Sequence, residues 1–182
     1  MSRYIRPRIE GATVFFTVAL AVRGGTALVD HVGALRAAVR ATKAERPFGI
    51  EAWVVMPDHL HAVWTLPEGD AAYSVRWGAI KARFTRAVRD ECRVGWSPTI
   101  AKSLGQPVGW NPTLRRSASK VRKGDAGLWQ RRFWERHIRS EAELAAAIRY
   151  CHLNPVKHGF VERPEDWAWS SVHRDIAKGR WR

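Results

Sequence analysis

Apolar and polar residues follow more than one rhythm along this chain, and each rhythm predicts an element. Residues 13–20 (TVFFTVAL) are β-branched and aromatic, which favours a strand, and Gly24-Gly25 marks a turn after it. From residue 28 to about 45, Leu28, Val32, Leu35, Ala38 and Val39 recur at three- and four-residue steps. That spacing predicts an amphipathic helix, with Arg36, Arg40 and Lys43 on its wetter side and Pro47 ending it. Residues 48–56 and 59–66 read as two strands, and the short Pro57-Asp58 turn between them suits an antiparallel hairpin. Asp70 is placed to cap a second helix running to about Cys92, with Val75, Ile80, Phe84 and Val88 as its buried positions.

Residues 94–127 break the rhythm with Pro98, Pro107 and Pro112 and read as a surface loop or insertion. A strand is expected near residues 132–138, and Ser140 starts a helix with Glu143 at the capping-box spacing. The helix body, 141–153, is expected to stop before Pro155. Strand, helix, strand, strand, helix, strand, helix is an α+β order. It suits a ferredoxin-like antiparallel sheet with helices on one face. The 182 residues fit one catalytic-size domain over 1–161, with a tail at 162–182 that keeps a positive balance. That tail is expected either to clamp a polyanion or to fold over the site as a regulatory segment.

Charge narrows the partner. Thirty-one Lys and Arg against seventeen Asp and Glu leave a net charge of +14, with a pI near 11.0. A surplus of that size on a small domain attracts polyanions, which favours nucleic acid. The cluster Arg115, Arg116, Lys120, Arg122 and Lys123 in the irregular region, together with Arg131, Arg132 and Lys157, supplies candidate phosphate contacts. No apolar run approaches the ~20 residues that span a bilayer, and the first residues lack signal-peptide order, so no membrane partner is expected. Cys92 and Cys151 form neither a disulfide framework nor a zinc-type pair, and a cytoplasmic, nucleoid-associated protein is expected. Of the ten Trp, Trp53 and Trp64 are expected in the core and Trp181 at the surface.

Candidate chemistry begins at His59-Leu60-His61. In a strand, positions i and i+2 share a face, so both imidazoles project together and form half of a divalent-metal site. Taken alone, two ordinary histidines explain the triplet equally well. Tyr150 and Asn154 lie four residues apart on the last helix and therefore share a face. The phenol oxygen can attack phosphorus and the amide oxygen can complete a metal shell. A sheet-packed aromatic and a C-terminal helix cap are the alternatives.

The segment 56–64 (MPDHLHAVW), followed by 150–161 (YCHLNPVKHGFV), resembles the single-tyrosine HUH (IS200-like) transposases. More closely it resembles the REP-associated tyrosine transposases, the branch linked to repetitive extragenic palindromes. Residues 129–135 (WQRRFWE), 66–70 (LPEGD), Trp77 with Lys81, and the stretch from Asp166-Trp167 to Ser170-Ser171 and His173-Arg174 agree with it. The resemblance covers nearly the whole chain apart from 94–127. It implies Tyr150 as nucleophile and His59, His61 and Asn154 as ligands of a divalent metal, Mg²⁺ or Mn²⁺. It also implies a single-stranded DNA substrate with a stem-loop, cut through a 5′-phosphotyrosine. His152 and Lys157 are candidates to activate the phenol. A monomer is favoured, and some relatives dimerise. One departure stands out: Gly11-Ala12-Thr13-Val14 lacks the Tyr that close relatives carry in a Gly-Thr-x-Tyr type sequence. The rival functional classes are a non-catalytic palindrome-binding or regulatory protein, a hydrolytic nuclease and an RNA-binding module.

Overall fold

A computed structural model describes residues 7–95 and 127–181. Its elements run β1 (Thr13–Ala19), α1 (Ala27–Asp30), α2 (Val32–Glu45), β2 (Gly49–Val55), β3 (His59–Thr65), α3 (Tyr73–Gly95), β4 (Trp134–His137), α4 (Glu141–Lys157), a 3₁₀ turn (Pro164–Asp166) and α5 (Val172–Ala177). The strands form one antiparallel sheet in the order β2-β3-β1-β4. The α+β antiparallel architecture expected from the sequence is thus the one observed. Among the described residues no helix is long and apolar enough to cross a membrane.

One detail differs from expectation: the helices cover both faces of the sheet. Strand alternation sends Val14, Phe16 and Val18 into a core shared with Leu35 of α2 and with Trp77, Ile80 and Phe84 of α3. Phe15, Val54 and Val63 point the other way, into a second core with Ala147 and Cys151 of α4 and with Trp167. The three strands β2, β3 and β1 therefore carry apolar residues on both sides, whereas β4 keeps Trp134 and Arg136 exposed. In the first core Trp64 stacks on Trp77 with ring centroids 4.2 Å apart and is buried as expected, whereas Trp53, 5.9 Å from Trp77, is only half-buried against that core.

Several boundaries move. The helix expected from residue 28 divides at His31, whose ring reaches Glu91 of α3 at 2.6 Å. Val75 is exposed, and Tyr73 takes the first buried position of α3. Asp70 sits upstream of that helix, where it accepts from the Ala72 N–H and from both terminal nitrogens of Arg76. α4 runs through Pro155 to Lys157 instead of stopping before it. Proline costs the helix only its own N–H bond here, because the end is closed by the next residues. Gly159 (φ +70) donates to Val156 and Phe160 donates to Pro155, the paired bonds of a Schellman closure.

The chain after α4 is packed against the sheet. Val55 donates to the Trp169 carbonyl, Ser171 donates to the Trp53 carbonyl, and the Trp167 indole donates to the Val55 carbonyl. Arg174 donates to the carbonyls of Ile50 and Glu51. Residues 167–174 thereby satisfy backbone groups on the outer edge of β2 that would otherwise be open to pairing. On the α4 side, His152 is fully buried, with Nε2 3.2 Å from Ser171 Oγ and 3.3 Å from an Asp175 oxygen.

Two outcomes follow from this packing. Arg76 is 2% exposed and its guanidinium also donates to the carbonyls of Arg46 and Pro47, so Asp70→Ala leaves a buried cation without its counter-ion. Urea unfolding should register a loss of about 3 kcal/mol; a loss within experimental error would show that the carbonyls alone hold Arg76. Burial also keeps His152 below its ordinary pKa, against the pull of Asp175. The unfolded histidine takes up a proton near ~6.5, so the unfolded chain binds more protons and stability falls as pH drops below that value. The melting temperature should be lower at pH 5 than at pH 7.5, and His152→Gln should narrow the difference.

Candidate active site

The central pair of strands sets the geometry. Thr17 lies opposite His61 and Ala19 opposite His59, so both histidines share a face with Phe15 and Thr17. Their rings meet edge to face with centroids 5.0 Å apart. Each is held through Nδ1: His59 pairs with Asp58 Oδ1 at 2.7 Å, and His61 pairs with Thr17 Oγ1 at 2.9 Å. Anchoring of this kind orients an imidazole and leaves Nε2 as the nitrogen available to a metal. Burial raises the Asp58 carboxyl, but hydrogen bonds from His59 and from the Gly24 N–H outweigh it and hold the group below its ordinary pKa. Asp58 therefore stays anionic and favours the tautomer of His59 with its proton on Nδ1. Burial, with added repulsion from His59, His158 and Lys157, pushes His61 down to about 3. At neutral pH it is the neutral imidazole, the form that ligates metals.

α4 brings the remaining groups. Ser140 caps it by accepting from the Glu143 N–H at 3.2 Å, as the capping-box spacing predicts, while the Glu143 carboxylate accepts from the N–H of Arg139, one residue before the cap. Further along the helix, Tyr150 is 41% exposed, and its ring stands edge-on to His61 at 5.2 Å and to Phe15 at 5.7 Å. The Lys157 ammonium lies 5.4 Å from the Tyr150 ring centroid. Asn154 is 1% exposed, and neither of its amide atoms has a hydrogen-bond partner. It lies near enough to His61 to raise that group's proton affinity slightly, without meeting hydrogen-bond geometry. An unpaired buried amide costs roughly 1–3 kcal/mol, which an ion accepting Oδ1 as a ligand would offset. Two imidazoles anchored through Nδ1 and one orphaned amide oxygen fit a divalent cation.

The fold thus assembles His59, His61, Tyr150, Asn154 and Lys157, which the sequence separates by up to 98 positions. Arg131 and Arg132 are exposed immediately before β4. Arg115, Arg116, Lys120, Arg122 and Lys123 lie outside the described residues. Two expectations are corrected. His152 is turned into the Ser171–Asp175 contact, because positions 150 and 152 fall on different sides of a helix, so it does not serve Tyr150. Trp181 is half-buried, its ring edge-on to His152 at 4.8 Å. Thr17, Phe15 and His158 join the site without a sequence signal of their own. His158 lies 5.3 Å ring to ring from His59. Asp58 was legible only as a turn residue.

Comparison with known proteins agrees with this geometry. No protein-family model matches the chain. It is 38% identical over 179 residues to the REP-associated tyrosine transposase of Escherichia coli (strain K12), a match covering 98% of this chain and 87% of that protein. A solved structure of a REP-associated tyrosine transposase bound to a REP hairpin superposes with a TM-score of 0.75 at 37% identity, covering 100% of this chain and 89% of that one. With identity of that level over nearly its full length, the chain belongs to the REP-associated tyrosine transposases.

Proposed function

We propose that this protein cuts and rejoins single-stranded DNA beside a palindromic hairpin, with Tyr150 as the nucleophile. The observation that carries the reading is the convergence of four groups on one face of the sheet. These are an exposed phenol, two histidines each tied down through Nδ1, and a buried amide with both atoms unpaired. The relative solved with a REP hairpin supports the substrate class, and the +14 charge suits a polyanion.

In the proposed reaction the Tyr150 oxygen attacks the phosphorus of a phosphodiester. The bond from phosphorus to the 3′-oxygen breaks as the bond to tyrosine forms, giving a 5′-phosphotyrosine and a free 3′-OH once the leaving oxygen has taken a proton. The covalent link conserves the energy of the broken ester, so a second strand's 3′-OH can reverse the step without ATP. A phenol ordinarily ionises near ~10, so attack at neutral pH calls for a cation beside the developing phenolate; Lys157 is placed for that. His59, His61 and Asn154 would hold Mg²⁺ or Mn²⁺, which when bound supplies Lewis-acid withdrawal of charge from the phosphoryl oxygens. Asp58 and Thr17 orient the two imidazoles and Phe15 packs behind His61 and Tyr150. One chain supplies every group, so a monomer suffices for the cut.

The protein mixed with divalent metal and a hairpin-bearing DNA strand should yield a denaturation-resistant protein–DNA adduct, abolished in Tyr150→Phe. No adduct with wild type, or one undiminished by that substitution, overturns the assignment. A metal-binding titration separates the ligand set from the nucleophile. Asp58→Asn and Thr17→Val should each weaken Mn²⁺ binding roughly 10- to 100-fold, since outer partners that fix ligand rings carry effects of that order. Because two of the donors are imidazoles, Mn²⁺ should support the adduct at lower concentration than Mg²⁺; the reverse order would point to a shell made chiefly of oxygen donors.

A further inference from the structure

Two large aromatic side chains stand in solvent at the ends of one chain of ring contacts through the site. Trp134 of β4 is 55% exposed, and Phe160, just past the closure of α4, is 47% exposed. Trp134 meets Phe15 edge to face at 5.7 Å, and Phe15 touches both His61 and Tyr150. At the other end Phe160 lies 6.1 Å from His158, whose ring adjoins His59.

Register makes the Trp134 placement firm. Trp134 pairs with Thr17 across β4 and β1, and Thr17 pairs with His61 across β1 and β3. The three residues form one row on the α4 side of the sheet. With strands ~4.8 Å apart, the Trp134 and His61 backbones are about 10 Å apart. Neither exposed ring belongs to a core: Trp134 meets Phe15 at 5.7 Å and Phe160 meets Trp167 at 5.4 Å, with about half of each side chain left in solvent. The β4 end is cationic: Arg131, Arg132, Arg136 and Arg139 are exposed on and around the strand and the Glu135 side chain is buried, while exposed Lys157 and Glu162 flank Phe160 in sequence. Exposed rings beside unburied cations suit an unpaired stretch of nucleic acid, whose bases offer flat faces and whose phosphates offer charge.

We infer that Trp134 and Phe160 are base-stacking subsites that grip the unpaired nucleotides on the two sides of the reacting phosphate. The inference rests on the reading of Tyr150 and the paired histidines as the reacting centre. Stacking on the two rings would hold the strand taut across the site while leaving base identity largely unread, because every base has a π face. Selection of sequence would then belong to other surfaces. Trp134 and Phe160 act here as positioning residues and touch no reacting atom.

The test uses the full chain and needs no chemistry at Tyr150. An oligothymidine carrying 5-iododeoxyuridine, photocrosslinked and mapped by mass spectrometry, should attach at Trp134 and Phe160. Trp134→Ala and Phe160→Ala should each weaken oligothymidine binding on the order of 5- to 100-fold, and Trp134→Phe should keep most of the affinity. On an abasic phosphodiester of equal length, wild type and both alanine variants should bind alike, since only the charge contacts remain. Failure of wild type to bind oligothymidine, crosslinks confined to other residues, or alanine variants that bind as wild type would each overturn the inference. Equal weakening on the abasic strand would also overturn it, by showing that the substitutions disturb folding or charge instead of stacking. Adduct formation is scored separately, so loss of the subsites and loss of the Tyr150 assignment give different results.

Discussion

The antiparallel register of β1 on β3 is the constraint from which the site is built. A shift of one residue would turn His59 and His61 to the opposite face, into the tryptophan core under α2 and α3. It would also take Thr17 away from His61 and so remove the contact that fixes that ring. The register is held by apolar residues on both faces at once: Val14, Phe16 and Val18 on one side and Phe15 on the other. A two-residue slip would keep each set on its own side but would still draw Thr17 away from His61. Burial that specifies the sheet thereby specifies the spacing of the two imidazoles.

Much of this was legible in the sequence, for reasons particular to each element. The β2–β3 hairpin could be read because its strands are continuous and its turn is two residues, and the start of α4 because Ser140 and Glu143 carry a capping pattern with a defined geometry. His59, His61, Tyr150 and Asn154 were found through parity on a strand and four-residue spacing on a helix, joined by the resemblance of their surrounding motifs. The continuation of α4 through Pro155 was not legible, because the bonds that rescue it come from Gly159 and Phe160 beyond the helix. The use of both faces is not legible for a related reason. An apolar run with little alternation is compatible with a strand buried on both sides, and only the packing of α4 decides it. Thr17 and Phe15 were invisible as site residues since nothing local distinguishes them from sheet filler; their role comes from a partner strand 44 positions away.

The polar economy of α4 separates two uses of its buried side chains. His152 and Asn154 are both excluded from solvent, but His152 has a serine and a carboxylate within reach while Asn154 has none. The first fastens the helix to the segment after it. The second faces the histidines with its hydrogen-bonding capacity unspent. A helix that is tied down on one side and unsatisfied on the other holds Tyr150 against His61 while keeping an unpaired amide beside it.

The seal that residues 167–174 place along β2 bears on how the protein is made. Residues that follow α3 cover the two edges left by β2, β3 and β1: β4 pairs with β1, and this segment lies along β2. Until those residues leave the ribosome, β2, β3 and β1 can form only a three-stranded sheet with two open edges and one uncovered face. Exposed edges of that kind pair readily with other chains. The nascent protein therefore passes through an aggregation-prone state before residues 134–174 are in place, and a chain cut before β4 would remain in it.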